Sequence, residues 1–253
     1  MLPACSMAEH RHLGNAPIAE ALVDLRTLLQ DDFDLGRFRV LGEQLGDRFP
    51  AVELLHGQTM TLKVEAGKPA TTTATFSARG YLFRSADGKT IAQFRRDGFT
   101  FNRLRPYTSW DELGPQALEL WEMYRTVANP PPCSRIALRY VNQIDVTAGD
   151  ISLASMLTAL PGVPHDRPRL LNEFFTRVVL ADPDTGLTAA ITQATQPAPG
   201  GTVALILLDI DTYRAASAGI PDREVAPTLN ALRKLKNDIF FGSITDAIVN
   251  RYA

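Results

Sequence analysis

Between Pro17 and Arg26 the apolar residues fall on alternate positions. Ala19, Ala21, Val23 and Leu25 occupy one face and Glu20, Asp24 and Arg26 the other, which predicts a strand opened by a proline. The spacing then changes to a helical one. Leu35, Phe38, Leu41 and Leu45 recur at three to four residues behind Asp34, a capping residue, and Pro50 ends the run. Thr59–Val64 alternates again and predicts a short strand, followed by a connector over Gly67–Thr73. Thr75–Ser85, Thr90–Arg96 and Phe99–Leu104 are separated by Asp87-Gly88 and Asp97-Gly98, turns in which glycine supplies positive φ without strain, so a three-stranded meander is expected. Ser109 with Glu112 three residues on forms a capping-box pattern ahead of a long helix, whose stripe is Trp110, Leu113, Ala117, Trp121 and Tyr124.

After three consecutive prolines, Pro130–Pro132, the same order returns. Arg135–Val146 predicts a long strand, and Asp150 caps a short helix running to Leu160. Leu170–Leu180, Leu187–Gln196 and Thr202–Thr212 form a second meander with turns at Asp182–Gly186 and Pro197–Gly201. Asp222 starts a closing helix with Val225, Leu229, Leu232, Lys236 and Ile239 on one stripe. Gly242 breaks it, and Ser243–Asp246 caps a last short helix. The pattern predicts an α+β fold of two pseudo-duplicated strand–helix–meander–helix units, 17–127 and 133–253, with a mostly antiparallel sheet and the long helices packed on one face. Residues 1–14 read as a flexible arm ahead of one domain spanning 15–253, and translation can start at Met1 or Met7.

Three stretches carry a family resemblance: Asn15-Ala16-Pro17-Ile18 with Glu20-Ala21, then Arg139-Tyr140-Val141-Asn142-Gln143-Ile144, then Ile239-Phe240-Phe241 with Ser243-Ile244-Thr245-Asp246. In that order they resemble a sporadically distributed family of uncharacterised prokaryotic proteins. The resemblance implies one fold unit from about Asn15 to the end of the chain and an accessory or mobile-gene context. It implies no activity.

Composition narrows the function. A chain of 253 residues with 45% hydrophobic and 21% charged residues buries a sizeable core. A net charge of −2 and an isoelectric point near 6.1 lack the global basic footprint of a nucleic-acid binder. Cys5 and Cys133 build neither a disulfide framework nor a metal knuckle, so a cytoplasmic location is expected. No apolar run approaches the length of a membrane span, so no membrane association is expected.

Motif by motif, established chemistries find little support. Gly88-Lys89-Thr90 has Phe83 where a phosphate loop needs glycine, and it joins two strands. His10, His12, His56 and His165 lie in the terminal arm or in connectors, without the spacing of a metal set. Asp209 and Asp211 share one face of a strand and lack a third oxygen donor in the sequence nearby. No cofactor and no metal are expected.

Two basic or polar sets remain. The meander from Arg84 to Arg105 carries a local charge of +4 with Phe94, Phe99 and Phe101 interleaved, a pattern that either binds single-stranded nucleic acid or packs its rings inward. The opening strands place Glu20, Asp24 and Arg26 on one polar face and Arg139, Gln143 and Asp145 on another, with Asn142 on the apolar side. If the halves join through these strands, the polar faces merge into one row in which Arg139 is an anchor for an anionic group and Asn142 orients a ligand or a neighbouring strand. The reading is a non-enzymatic binding or regulatory protein that uses one face of the sheet, with a protein partner or a small anionic ligand. The competing reading is an enzyme with clustered carboxylates and Arg139 at the junction of the halves.

Overall fold

In the computed structural model the described residues are 12–63, 69–146, 153–159, 162, 174–197 and 204–253. They form an α+β structure built on one open, antiparallel sheet of nine strands in the order β2-β3-β4-β5-β1-β6-β9-β8-β7. The strands are β1 (Ile18–Arg26), β2 (Ala51–Lys63), β3 (Thr71–Arg84), β4 (Thr90–Arg95), β5 (Gly98–Leu104), β6 (Cys133–Asp145), β7 (Phe175–Asp182), β8 (Leu187–Pro197) and β9 (Ala204–Ile220). The helices are α1 (Gly36–Arg39), α2 (Leu41–Leu45), α3 (Trp110–Ala128), α4 (Val225–Ser243) and α5 (Asp246–Tyr252).

The two strands expected to open the repeats lie side by side at the centre. Val23 of β1 faces Leu138 of β6 and Phe101 of β5, and Leu25 faces Ile136 and Phe99. These buried side chains form one cluster with Leu113, Trp121 and Tyr124 of α3 and Val225, Leu229 and Leu232 of α4. A second cluster joins Ile144, Ile206, Leu208 and Ile210 of the sheet to Phe240 and Phe241 of α4 and Ile248, Val249 and Tyr252 of α5.

Several boundaries differ from the sequence expectation, each for a physical reason. The register of β1 shifts between Ile18 and Glu20, so Ile18 rather than Ala19 joins the core. The helix expected after Asp34 is divided at Val40 into α1 and α2, where Val40 and Gly42 weaken helical propensity; Asp34 still accepts a hydrogen bond from the Gly36 amide at 2.8 Å. Strand β2 begins directly after Pro50 rather than at Thr59, and β3 begins at Thr71, inside the expected connector. Val52, Leu54, Met60 and Phe76 are exposed on this ribbon, so one-sided burial imposes no alternation to read.

Pairing along the whole of β6 draws β9 out to Ile220, through a run of small residues with weak strand character. The closing helix starts as a 3-10 turn at Asp222–Glu224 and runs through Gly242 to Ser243. His56 lies on β2 rather than in a connector. Of the arm expected over 1–14, Leu13 is buried in the second cluster, and the Asn15 amide donates to the Tyr252 carbonyl at 3.1 Å. The Asp150 cap, the start of the 170–180 strand and the Pro197–Gly201 turn fall outside the described residues in whole or in part; a 3-10 turn over Leu153–Ser155 is what is described of the second short helix.

The long helix α3 follows its sequence signals closely. Ser109 accepts from the Glu112 amide at 3.2 Å, while the Glu112 carboxylate turns to Thr108 rather than back to Ser109. Asn129, with φ of 44°, closes the helix in the left-handed conformation that asparagine tolerates. Trp121 is 3% exposed and stacks on Tyr124 at 5.2 Å, whose hydroxyl donates to the Arg95 carbonyl at 2.9 Å. The Trp121 indole N–H has no hydrogen-bond partner among the described residues. Trp121→Ala should therefore cost on the order of 3–5 kcal/mol, and Trp121→Phe clearly less because it removes the orphaned donor and keeps a ring. Urea unfolding of the two variants checks the pair; equal losses would mean that the ring itself contributes little.

Candidate functional site

One side of the central strands carries an ionic row. Asp24 of β1, 8% exposed, accepts hydrogen bonds from Thr100 of β5 (2.9 Å), Arg95 of β4 (3.2 Å), Arg26 (3.0 Å) and Arg135 of β6 (3.2 Å). Arg135 in turn holds Asp211 of β9 at 3.0 and 2.8 Å and lies 4.4 Å above the Tyr213 ring. Arg139 makes a two-pronged contact with Asp209 at 2.8 and 2.6 Å, and Glu20 accepts from the Asn102 side chain. Burial pushes the Asp24 carboxyl up, but Arg95, Thr100 and Arg26 outweigh it and hold Asp24 below the ordinary carboxylate value. At Asp211 burial prevails and holds the carboxyl above its ordinary value, against the pull of Arg135 and Arg139.

The residues expected in one row fall into separate groups: Asp24 and Arg26 with Arg95, Arg135 and Asp211, Arg139 with Asp209, and Glu20 with Asn102, partners the sequence did not reveal. Gln143 donates its backbone amide to the Pro17 carbonyl at 2.8 Å. Asp145, at the end of β6, binds Tyr252 and Arg251 through its backbone groups. The Asp209 and Asp211 carboxylates, weighed as metal ligands, are both engaged by arginines. In the basic meander Phe94, Phe99 and Phe101 are buried in the core, so they offer no stacking surface to a nucleic-acid base.

Asn142 lies on the other side of β6, buried, with its side-chain amide donating to the Leu208 carbonyl at 2.9 Å. There it borders a cavity of about 300 Å³ that opens between the two core clusters. Ile18, Tyr140 and Asn142 supply the sheet wall, Tyr107 and Trp110 the approach to α3, and Arg233, Lys236, Phe240 and Phe241 the α4 wall; His12, Leu13 and Ala16 close the side. Tyr107 and Tyr140 hydrogen-bond through their hydroxyls at 2.9 Å. The Lys236 ammonium lies 4.0 Å from the centre of the Tyr140 ring, and the Arg233 guanidinium 5.8 Å from that of Trp110. Neither cation has a carboxylate partner among the described residues. Burial, aided by the neighbouring Arg233 charge, pulls the Lys236 ammonium down to about 7.

The sequence held a signal for this cavity. Lys236 stands on the apolar stripe of the closing helix, where the periodicity calls for a hydrophobe. Its nearness to Arg233, three residues earlier on the same helix, is local, but its meeting with Tyr107 and Tyr140 depends on long-range packing and was not legible. Compared with models of protein families, with curated proteins and with solved structures, the chain finds no match. Three stretches distant in sequence meet in space here: Ala16 and Ile18, Tyr140 and Asn142, and Phe240 and Phe241 all line this cavity.

Two measurements separate the ionic row from the cavity. Asp24→Asn should destabilise the fold by about 2–4 kcal/mol, because Arg95 and Arg135 then lose the charge that compensates their burial. Arg139→Met should cost less than about 1 kcal/mol, since its side chain is 44% exposed. Chemical denaturation at neutral pH compares them; equal costs would contradict the difference in burial.

The Lys236 shift predicts a pH dependence of definite sign. Because the folded state releases this proton near pH 7 and the unfolded chain only near 10.4, the cost of burying the ammonium is fully present below 7 and is relieved as pH rises between these values. Lys236→Met should therefore be more stable than the native chain at pH 6, and its advantage should shrink by on the order of 2 kcal/mol by pH 9. A pH-independent difference would show that the lysine is not desolvated.

Proposed function

We propose that the protein is a non-enzymatic binding protein, accessory or regulatory in role, that holds a small organic anion in the cavity between α3, α4 and the central strands. The observation that supports this most is the pair of cations, Arg233 and Lys236, that line a cavity of about 300 Å³ in which Asp111 also stands but, among the described residues, makes an ion pair with neither. Uncompensated cations in a partly dry site are costly unless an anion completes them. Leu13, Ala16, Ile18, Phe240 and Phe241 give the cavity an apolar flank opposite the polar Thr108, Ser109 and Asp111, which suits an anion with a hydrocarbon body. Asn142 belongs to this site, and the ionic row braces the sheet beneath it, with the well-exposed Arg26 and Arg139, and with Gln143 and Asp145, as its partner-facing members.

This reading includes the architecture and setting inferred from the sequence. Two strand–helix–meander–helix units meet at the β1–β6 pair with both long helices on one side, an arrangement supported by the strand order, in which β5-β1 and β6-β9 mirror one another. Membership of the uncharacterised prokaryotic family is supported by the meeting of its three motifs at the cavity. A cytoplasmic setting is supported by the sparse cysteines, and among the described residues no helix is long and apolar enough to cross a membrane.

The test is thermal melting of the full chain with 4-methylpentanoate, phenyl phosphate and inorganic phosphate. The two amphipathic anions should raise Tm by about 3 °C when in roughly tenfold excess over their Kd, inorganic phosphate by less, and Arg233→Met should abolish the rise. Absence of any shift with all three anions, or a shift that Arg233→Met leaves intact, would sink the assignment.

A further inference from the structure

Lys236 differs from an ordinary anion-binding lysine in what surrounds it. Its nitrogen rests against the face of Tyr140, with no hydrogen-bond acceptor or carboxylate among the described residues. Arg233 stands one turn earlier on the same helix, and residues three apart on a helix are neighbours, about 5–6 Å between Cβ atoms. Both line the cavity, so a small molecule lodged there meets both side chains. A lysine desolvated in an apolar pocket beside a second cation is the arrangement that turns an ammonium into a free amine at neutral pH.

We propose that Lys236 is a nucleophile that forms an imine with a 2-oxo acid whose carboxylate is held by Arg233 and whose apolar side chain lies among Leu13, Ile18, Phe240 and Phe241. This inference rests on the anion-binding reading of the cavity and deepens it by naming the ligand class. In a 2-oxo acid the carbonyl is bonded directly to the carboxylate, which matches an amine and a guanidinium one turn apart. In the first step the lone pair of the amine attacks the carbonyl carbon. The C–N bond forms, the C=O π pair moves to oxygen, and a proton passes from nitrogen to that oxygen to give a carbinolamine. The carbinolamine takes up one proton, expels water and leaves a protonated imine, in which no atom is oxidised or reduced. The Tyr107 and Tyr140 hydroxyls line the same cavity, and the protonated imine keeps the positive charge that Lys236 carried over the Tyr140 ring.

The experiment is borohydride trapping of the full chain with 4-methyl-2-oxopentanoate at pH 7.5, with the modified lysines mapped by peptide mass spectrometry. Lys234, exposed on the same helix two residues away, serves as the internal reference. Lys236 should be trapped at least about tenfold faster than Lys234. Excess 4-methylpentanoate, which has the carboxylate and body but no carbonyl, should suppress trapping, and Arg233→Met should slow it several-fold. Thermal melting with 4-methylpentanoate is run alongside. If that acid raises Tm while Lys236 reacts no faster than Lys234, the imine is wrong and anion binding stands. If it neither raises Tm nor protects Lys236, and Lys236 shows no preference, both readings fall. Preferential trapping of Lys236 that 4-methylpentanoate does not suppress would overturn the assignment of the 2-oxo acid to this cavity.

Discussion

The fold depends on a single buried carboxylate. Asp24 sits in the middle strand of nine and receives groups from β4, β5 and β6 as well as from its own strand, so one side chain fixes the lateral position of four strands. A hydrophobic residue there would pack but would tolerate slippage, whereas a charge that must meet Arg95, Thr100 and Arg135 at hydrogen-bond distance admits one register. That register decides which side chains of β1 and β6 face the helices. It turns Val23, Leu138 and Tyr140 toward the core and brings Asn142 and Ile18 to the cavity wall.

Electrostatic compensation is distributed unequally between the two sides of the central strands. On the ionic side the described arginines find acidic partners in Asp24, Asp209 and Asp211, and local neutrality is reached within the chain. At the cavity Arg233 and Lys236 face aromatic rings instead. Ring faces attract cations more weakly than carboxylates do, and the difference is available to a bound anion. The chain thus has enough acid to close its own circuits and leaves this one open.

Legibility of the sequence followed the environment of each element. Where a segment is buried on one side and capped by local chemistry, as in β4, β5 and α3, the alternation, the Asp-Gly turns and Ser109 mark the boundaries to within a residue or so. Where both faces are exposed, as along β2 and much of β3, burial sets no boundary, and the strands run well beyond the stretch that alternates at Thr59–Val64. Where pairing overrides propensity, as in the Ala-Ala-Ser-Ala-Gly end of β9, tertiary context sets the length. For the candidate sites, Glu20, Asp24, Arg26 and Arg139 could be assigned to polar faces from periodicity alone, but not their partners. Lys236 was visible as an irregularity in an apolar stripe, whereas nothing in the sequence marked Cys133 as buried, with its thiol pushed up to about 12 by that burial.

The cavity walls come from residues near 12–18, 107–111, 140–142 and 233–241, so contacts between distant parts of the chain define it. The Asn15 amide is tied to Tyr252, and the Tyr252 hydroxyl to Asp145, which fastens the early strand and the last helix to the end of β6. No fragment holding only the first meander or only the second contains this set of walls. Occupancy of the cavity is therefore coupled to completion of the whole sheet, and a ligand there acts as a reporter of global rather than local order. During synthesis such a site matures last, after α4 has emerged and settled on β6 and β9.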